Sequence, residues 1–376
     1  RDCPDDRFVP ALLDELTAAG VAPRDVTIVV ATGLHRPSTD AEKRAKLGDA
    51  VVDSLTVIDH DALDAGGLVD LGSVADGIPA VVSRRAVEAD LLLATGVVEP
   101  HQYAGWSGGG KTVAMGLAGE ATISATHGIA MLDDPRVRLA RTEGNPFAAA
   151  VTAITARAGL RFVVNAVLDA DGRIVAVAAG EPGRVHAHLV ATAGPILTVP
   201  IHGRADVVVV GVPSEKAANL YQASRGVTYL HYAPTPVARP GGVYVLSAPI
   251  PEGVGQGTGE RRCAEALRVA TADGLDTFLE RIRRAGTRGG EQRAYLIATV
   301  LRDARIVVAG ARELDVVRSC GLLAEASLAG ALALAASIVR APGGPAHGRG
   351  GPVETLVVPD AIRTLPIVIG GEPARA

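Results

Sequence analysis

The sequence contains few aromatic residues and few cysteines. Aromatic side chains make up 3% of the 376 residues, and the three cysteines, Cys3, Cys263 and Cys320, are far apart. Their spacing matches neither a disulfide framework nor a CxxC metal knuckle. Hydrophobic residues still account for 48% of the chain. This composition is typical of a folded globular protein and not of a disordered one.

The sequence also lacks an excess of positive charge and an apolar leader. The formal net charge is −4, so there is no basic surface for nucleic acid and we expect no nucleic-acid partner. The most apolar stretch, Leu322 to Val339, is interrupted by Glu325 and predicts a buried helix instead of a membrane span. The first residues, RDCPDDRF, contain no signal-peptide core. We therefore expect a cytoplasmic protein with free thiols and no membrane partner.

Short apolar runs alternate with amphipathic segments, which predicts an α/β fold. VTIVVATG, LTVIDHD and DLLLATGVV are typical of buried strands, and TDAEKRAKLG and FAAAVTAITARAG are typical of helices. LRFVVNAVLDADGRIVAVAAG predicts two strands joined by an Asp171-Gly172 hairpin turn. The alternation pauses at GPILTVPIHGR and restarts with ADVVVVGVP, GGVYVLSAPI and ARIVVAGA.

This pause predicts two α/β domains. The N-terminal domain would comprise residues 1–198, joined by residues 353–376 at the end of the chain. The C-terminal domain would comprise residues 205–340, and the segment APGGPAHGRGGP, residues 341–352, would be a flexible linker. Because the chain enters a loop and then a helix without an initiator methionine, we also expect a strand upstream of Arg1.

The segment GWSGGGKT, residues 105–112, matches the spacing of a phosphate-binding P-loop. A P-loop follows a buried strand directly and opens a firm helix, so that its backbone N–H groups face the phosphates. Here EPHQYA separates the strand from Gly105, and Gly116 and Gly119 would weaken the following helix. No later strand ends in an acidic residue of Walker B type. A P-loop ATPase or kinase is therefore an alternative and not the leading hypothesis.

Three histidines accompany Lys111, the lysine of this glycine run. His101 lies ten residues before it and His127 sixteen residues after it, while His35 follows the strand VTIVVATG. Ligands gather at the carboxyl ends of strands in open α/β sheets, so His35 and His101 could share one cleft. A zinc hydrolase that uses all three histidines is a further alternative, although no HExxH signature supports it.

Four blocks occur in the order ATGLHRPST, VIDHDALD, EPHQYAGWSGGGKTVAMGLAGEATISATHG and GVPSEKAANLYQASRGV. Their order and spacing resemble those of the nickel-pincer-nucleotide-dependent lactate racemases and their relatives, over most of the chain. The resemblance implies two α/β domains with the active site in the cleft between them. It also implies a racemase or epimerase of a lactate-type 2-hydroxy acid, which acts by proton-coupled hydride transfer through a 2-keto acid.

The resemblance further implies roles for individual residues of the N-terminal, cofactor-binding and catalytic domain. Lys111 would attach covalently to the cofactor, a pyridinium-3,5-bisthiocarboxylic acid mononucleotide that holds nickel (the nickel-pincer nucleotide). His127 would be a nickel ligand, and His35 and His101 would be the paired acid/base residues. Further cofactor contacts would come from Ser107, Gly108, Gly109 and Arg7.

In the C-terminal domain, the resemblance implies that Tyr221, Gln222 and Arg225 bind the substrate. The family usually has lysine where Arg225 stands, so the substrate preferred by this chain could differ from that of its relatives. Asp6 stands where the family usually has threonine, so the family's phosphate contacts at the N-terminus are not carried over to this chain. Enzymes that synthesise the cofactor would be transient partners, while the sequence indicates no oligomeric state.

The residue types suit this chemistry. Histidine exchanges protons near neutral pH, and two of them can serve the two enantiomers from separate loops. Imidazole is also a suitable nickel ligand, and arginine presents a bidentate fork to a carboxylate. A chain that binds the cofactor without turnover is a further alternative, which the presence of both His35 and His101 disfavours. His186 and His188 are two residues apart on a predicted helix, and we expect both at the surface.

Overall fold

The computed structural model describes residues 3–169 and 171–370 and confirms the α/β class. Strands and helices alternate along most of the chain, as the apolar and amphipathic segments predict. The strands are β1 Thr27–Val30, β2 Thr56–Asp59, β3 Leu68–Ser73, β4 Pro79–Ser83, β5 Leu92–Val97, β6 Pro100–His101, β7 Gly105–Trp106, β8 Leu160–Leu168, β9 Ile174–Gly180, β10 Thr198–His202, β11 Ala205–Val210, β12 Ala238–Ser247, β13 Arg305–Ala309, β14 Leu323–Glu325, β15 Thr355–Val358 and β16 Leu365–Ile369.

Local sequence signals begin several of the helices. Thr39 accepts a hydrogen bond from the Glu42 backbone and Glu42 accepts one from the Thr39 backbone, which caps the start of α2 reciprocally. The helices are α1 Asp5–Ala18, α2 Asp40–Leu47, α3 Asp49–Ser54, α4 Arg84–Val87, α5 Glu120–Thr126, α6 Ile129–Asp133, α7 Pro146–Arg157, α8 Pro182–Leu197, α9 Leu220–His231, α10 Thr258–Asp273, α11 Leu275–Ala285, α12 Glu291–Asp303, α13 Leu314–Ser319 and α14 Leu328–Arg340.

The chain divides into two compact units, and each unit is assembled from separate stretches of sequence. Among the described residues, the first unit contains 3–99, 106–127, 144–169 and 171–195. The second contains 100–105, 128–143 and 196–370. Two short segments inside the predicted N-terminal domain, one of which carries His101, thus belong to the second unit.

The first unit contains a sheet in the order β5-β8-β9, in which β8 is parallel to β5 and antiparallel to β9. The predicted hairpin between β8 and β9 is present. Asp169 accepts hydrogen bonds from the backbones of Asp171 and Arg173, and Gly172 has a φ of +79°. Apolar residues of this sheet pack with Phe8 of α1 in one hydrophobic cluster. The first unit also contains the parallel pair β1-β2 and the antiparallel pair β3-β4.

The second unit contains a parallel sheet in the order β14-β13-β12-β11-β15. All six residues of β11, ADVVVV, are buried, as expected for a strand that is covered on both faces. Each buried valine contributes roughly 1.5–3 kcal/mol relative to an exposed one. The parallel pair β10-β16 belongs to the same unit.

The end of the chain differs from the prediction. Residues 353–376 were expected to join the N-terminal domain, but β15 pairs with β11 and β16 pairs with β10, both in the second unit. The physical reason is that the backbone N–H and C=O groups of β11 pair with those of β15 along all four residues of β15. Residues 371–376 lie outside the described part of the chain.

The predicted linker and one predicted helix also need correction. Within 341–352, Ala346 packs into the core of the second unit and Arg349 forms an ion pair with Asp206, so this segment is anchored along the unit. Leu322 to Val339 was expected to be one helix. It begins instead with β14, which pairs with β13, and α14 starts after Ser327, whose side chain accepts from Gly330 N.

Candidate functional site

The glycine run that precedes Lys111 packs closely against protein atoms of the first unit. A Cβ on Gly110 would lie 2.2 Å from Thr155 Oγ1 on α7, and one on Gly108 would lie 2.6 Å from Val98 Cγ2. Gly108 and Gly109 also have φ angles of +82° and +53°, which favour glycine. These glycines are thus required by packing and backbone conformation, whether or not a cofactor approaches them.

Backbone amides of the same run are bonded within the protein. Gly109 N donates to Asn165 Oδ1 at 2.7 Å, and Lys111 N donates to Gly108 O at 3.1 Å. A P-loop needs its amides to face phosphates and needs a firm helix after its lysine. Here the lysine is followed by a single π-helical turn, Thr112–Gly116. The arrangement gives the P-loop alternative no support.

Ser107 anchors the start of the run to the end of β5. Its hydroxyl donates to Val97 O at 2.7 Å and accepts from Glu99 N at 3.1 Å. The residue is 1% exposed. The structure therefore gives Ser107 a structural role, and its contact with a cofactor stays a prediction.

His186 contacts this loop, which the sequence did not predict. Its Nε2 donates to Ser107 O at 3.1 Å, and its Cβ lies 3.1 Å from the position that a Cβ on Gly109 would take. Burial lowers the pKa of the His186 imidazole below its ordinary value of 6.5. His188 is exposed as expected, whereas the expectation that His186 lies at the surface is wrong. The helical spacing alone did not reveal that α8 packs one histidine against the glycine run.

His127 ends α5 with a fixed ring orientation. Its Nδ1 lies 2.9 Å from Ile123 O, and its ring packs edge-on against Phe147 at 5.1 Å between centroids. A carbonyl oxygen can only accept, so Nδ1 carries the proton and the lone pair of the neutral ring is on Nε2. This is the form in which a histidine binds a metal, with its other nitrogen bonded to the protein.

The remaining predicted residues of the first unit are more exposed. His35 is exposed and follows Gly33, which has a φ of +57°. Arg7 is exposed in the first turns of α1. His60, by contrast, is 7% exposed and its Nε2 donates to Ala118 O at 2.9 Å, so it ties two loops together.

In the second unit, α9 presents the predicted substrate residues. Asn219 caps the helix by accepting from Gln222 N at 3.0 Å. Tyr221, Arg225 and Thr228 follow the i, i+4, i+7 spacing and therefore share one face. Arg225 Nη1 lies 3.4 Å from Gln222 Oε1, and Arg225 Nη2 lies 3.3 Å from the Tyr229 hydroxyl.

His101 belongs to the same unit and lies next to Arg225. It is 2% exposed, and its Nδ1 accepts from Tyr103 N at 3.2 Å and from Ala104 N at 3.1 Å. The neutral ring then carries its proton on Nε2, which is 3.4 Å from Arg225 Nη2. Since both of these atoms are donors, an oxygen atom of a bound acid could accept from both.

A second arginine, Arg293 of α12, contacts the same face of α9. It is 2% exposed, its Nη1 donates to Thr228 Oγ1 at 3.0 Å, and its guanidinium lies 5.4 Å from the centre of the Tyr221 ring. Arg293 is not among the residues that the sequence predicted. No amphipathic pattern marks it, because residues on every side of α12 are buried, from Gln292 to Ala298 without a break.

The structure thus brings together four of the predicted residues in the second unit, namely His101, Tyr221, Gln222 and Arg225. The others belong to the first unit, namely Arg7, His35, Ser107, Gly108, Gly109, Lys111 and His127. Among residues 3–169 and 171–370, no three His, Cys, Asp or Glu side chains are placed to hold a metal ion together. The zinc-hydrolase alternative therefore gains no support. None of the helices in this part of the chain is both long enough and apolar enough to cross a membrane.

Known proteins match both the sequence and the fold. A family model described as the lactate racemase N-terminal domain matches residues 1–140. The lactate racemase of Thermoanaerobacterium thermosaccharolyticum is 30% identical over 343 residues, which cover 90% of this chain and 78% of that protein. The chain belongs to the lactate racemase family. The lactate racemase of Lactiplantibacillus plantarum is 31% identical over 258 residues, which cover 68% of this chain and 59% of that protein.

Two solved structures match the fold of this chain. The lactate racemase apoprotein from Thermoanaerobacterium thermosaccharolyticum superimposes with a TM-score of 0.82 at 27% identity, covering 98% of this chain and 84% of that one. A protein from Thermotoga maritima has a TM-score of 0.68 at 16% identity, covering 91% and 86%. The second match shows the fold alone.

Proposed function

We propose that this member of the lactate racemase family interconverts the enantiomers of a 2-hydroxy acid through a 2-keto acid, with a nickel-pincer nucleotide attached to Lys111. The observation that carries the proposal is the approach of His101 Nε2 to Arg225 Nη2, at 3.4 Å. In a 2-hydroxy acid the hydroxyl is on the carbon next to the carboxylate. A cation for the carboxylate beside a proton-exchanging ring matches that substrate.

The residues present fit the proposed cofactor. Lys111 is the lysine of a loop that Asn165, Thr155 and His186 hold by hydrogen bonds. His127 has the tautomer of a metal ligand, with Nδ1 bonded to Ile123 O. When bound, the group supplies a hydride acceptor, so that a C–H bond can break without formation of a carbanion.

The side chains would bind the substrate and move its hydroxyl proton. Arg225 would hold the carboxylate with its guanidinium fork, and Gln222 would donate to the same group. Because two backbone amides hold Nδ1 of His101, this ring would exchange the proton at Nε2. His35, on a separate loop of the first unit, would serve the opposite enantiomer.

The proposal is tested by interconversion of one enantiomer of lactate. The protein is produced with the cofactor-making enzymes and nickel, and the product is resolved by chiral chromatography. Substrate deuterated at C2 keeps its label if hydrogen moves as hydride and loses it to water if hydrogen leaves as a proton. We expect conversion to the racemate with retention of the label.

His101→Asn and His35→Ala test the acid/base pair. Asparagine Oδ1 can replace Nδ1 as acceptor for the two amides, so His101→Asn should fold as the wild type does while interconversion falls by at least about 100-fold. His35→Ala should lose activity to a similar extent. His188→Ala, which changes an exposed histidine of α8, is the control and should keep full activity. Full activity in His101→Asn or in His35→Ala would end the assignment of that residue.

A further inference from the structure

Arg225 and Arg293 bring two positive charges to one face of α9. Neither forms an ion pair with a carboxylate in the described part of the chain. Arg225 contacts Gln222, His101 and the hydroxyl and ring of Tyr229. Arg293 contacts Thr228 and the ring of Tyr221. A buried cation without a counter-ion costs several kcal/mol. A bound anion would remove that cost.

The positions of both arginines on this face are fixed by their neighbours. Arg293 lies over the ring of Tyr221 and donates a hydrogen bond to Thr228. Tyr221 is four residues before Arg225 on α9, and Thr228 is three residues after it. The guanidinium of Arg293 therefore lies beside the part of α9 that carries Arg225. Thr228 in turn donates to Gln102 Oε1 at 2.9 Å, which places a further polar side chain at this position.

Several buried donors at this position lack an acceptor. Within the described residues, the Nε atoms of Arg225 and Arg293 and the Nε2 atom of Gln102 have no hydrogen-bond partner. The buried carboxylate nearby, Glu260, accepts from Gly257 N at 2.8 Å. Nitrogen donors in excess of oxygen acceptors indicate a ligand that brings oxygen atoms and negative charge.

We propose that Arg225 and Arg293 together bind a substrate with two acidic groups, so that the substrate class of this chain is a 2-hydroxy dicarboxylate. This inference rests on the proposed function, in which Arg225 holds the carboxylate next to the reacting carbon. Arg293 then holds the second carboxylate. Lactate has a methyl group at that end and leaves the charge of Arg293 uncompensated.

Binding of malate, lactate and inorganic phosphate to the purified chain tests this inference by isothermal titration calorimetry. We expect malate to bind at least about tenfold more tightly than lactate, since the second carboxylate adds a charge-assisted contact. Arg293→Gln should remove that preference by weakening the binding of malate at least about tenfold more than the binding of lactate. Arg225→Gln should weaken both acids. Arg302→Gln, on the same helix but exposed and paired with Asp276, should change neither.

Several results would overturn the inference. Equal affinities of the wild type for malate and lactate would do so, as would an unchanged malate preference in Arg293→Gln. Phosphate that binds as tightly as malate would indicate a general anion site and would also end the proposal. If Arg293→Gln does not fold, Arg293→Lys replaces it as the test. Lysine retains the positive charge, so this variant should still prefer malate to lactate. A Lys variant without that preference would contradict the assignment of Arg293.

Turnover separates this inference from the proposed function. A cofactor-loaded chain that racemises lactate but shows no preference for malate would keep the racemase proposal and reject the dicarboxylate. A chain that binds malate through Arg293 but interconverts neither acid when loaded would keep the anion site and reject the racemase.

Discussion

Asn165 Oδ1 accepts a 2.7 Å hydrogen bond from the backbone N–H of Gly109, and so joins the middle of β8 to the loop that carries Lys111. Asn165 is fully buried, and its Nδ2 donates to Val164 O at 2.8 Å. A fully buried asparagine in the central strand of a sheet therefore fixes the conformation of the glycine run.

Asn165→Ala should destabilise the fold, because it leaves the Gly109 amide buried without an acceptor. We expect the free energy of unfolding to fall by about 1–3 kcal/mol, measured by urea denaturation. Thr152→Ala, at an exposed position of α7, is the control and should change it by less than about 0.5 kcal/mol. An Asn165→Ala variant as stable as this control would show that the hydrogen bond does not hold the loop.

Gly110 and Gly194 should respond in opposite ways to alanine. The new methyl group of Gly110→Ala would lie 2.2 Å from Thr155 Oγ1. The Cβ position of Gly194 on α8, by contrast, has no described atom within 4 Å apart from its chain neighbours and the backbone of its own helix. We expect Gly110→Ala to lower the free energy of unfolding by about 1–3 kcal/mol. Gly194→Ala should leave it unchanged or raise it by up to about 1 kcal/mol, because alanine favours helix. Equal effects in thermal unfolding would contradict the packing described for the glycine run.

Stability should fall on mild acidification. Burial lowers the pKa of His60 and of His186 below the ordinary value of 6.5. Below about pH 6.5 the unfolded chain takes up protons that the folded chain does not, so the stability present at neutral pH is lost as the pH falls. His60→Gln and His186→Gln should each reduce the slope of unfolding free energy against pH between 7 and 5. An unchanged slope in both variants would show that neither imidazole is held neutral.

Parts of the fold with strong local signals could be predicted from the sequence. Continuous apolar runs such as ADVVVV identify strands that are buried on both faces, and Asp171-Gly172 identifies a hairpin turn. The stretch from Leu322 was misassigned because alanine and leucine suit both a short buried strand and a helix. Pairing with β13 decides between them, and this pairing depends on tertiary structure.

The candidate site was predicted in part for a related reason. The motif residues were found from the order of their sequence blocks. Their division between the two units was not predicted. Segments 100–105 and 128–143 belong to the second unit, but the αβ alternation of the sequence shows no break where they begin or end. His186 and Arg293 belong to no motif, and only packing shows that they contact the glycine run and the face of α9.

Intact-mass spectrometry of the chain tests the central claim most directly. After expression with the cofactor-making enzymes and nickel, the wild type should carry an added mass that peptide mapping assigns to Lys111 and not to Lys43, Lys46 or Lys216. Lys111→Ala should lack the added mass, while His127→Ala should keep the organic adduct and lose the nickel, measured by elemental analysis. An unmodified wild-type chain under these conditions, or an adduct that persists in Lys111→Ala, would contradict the account.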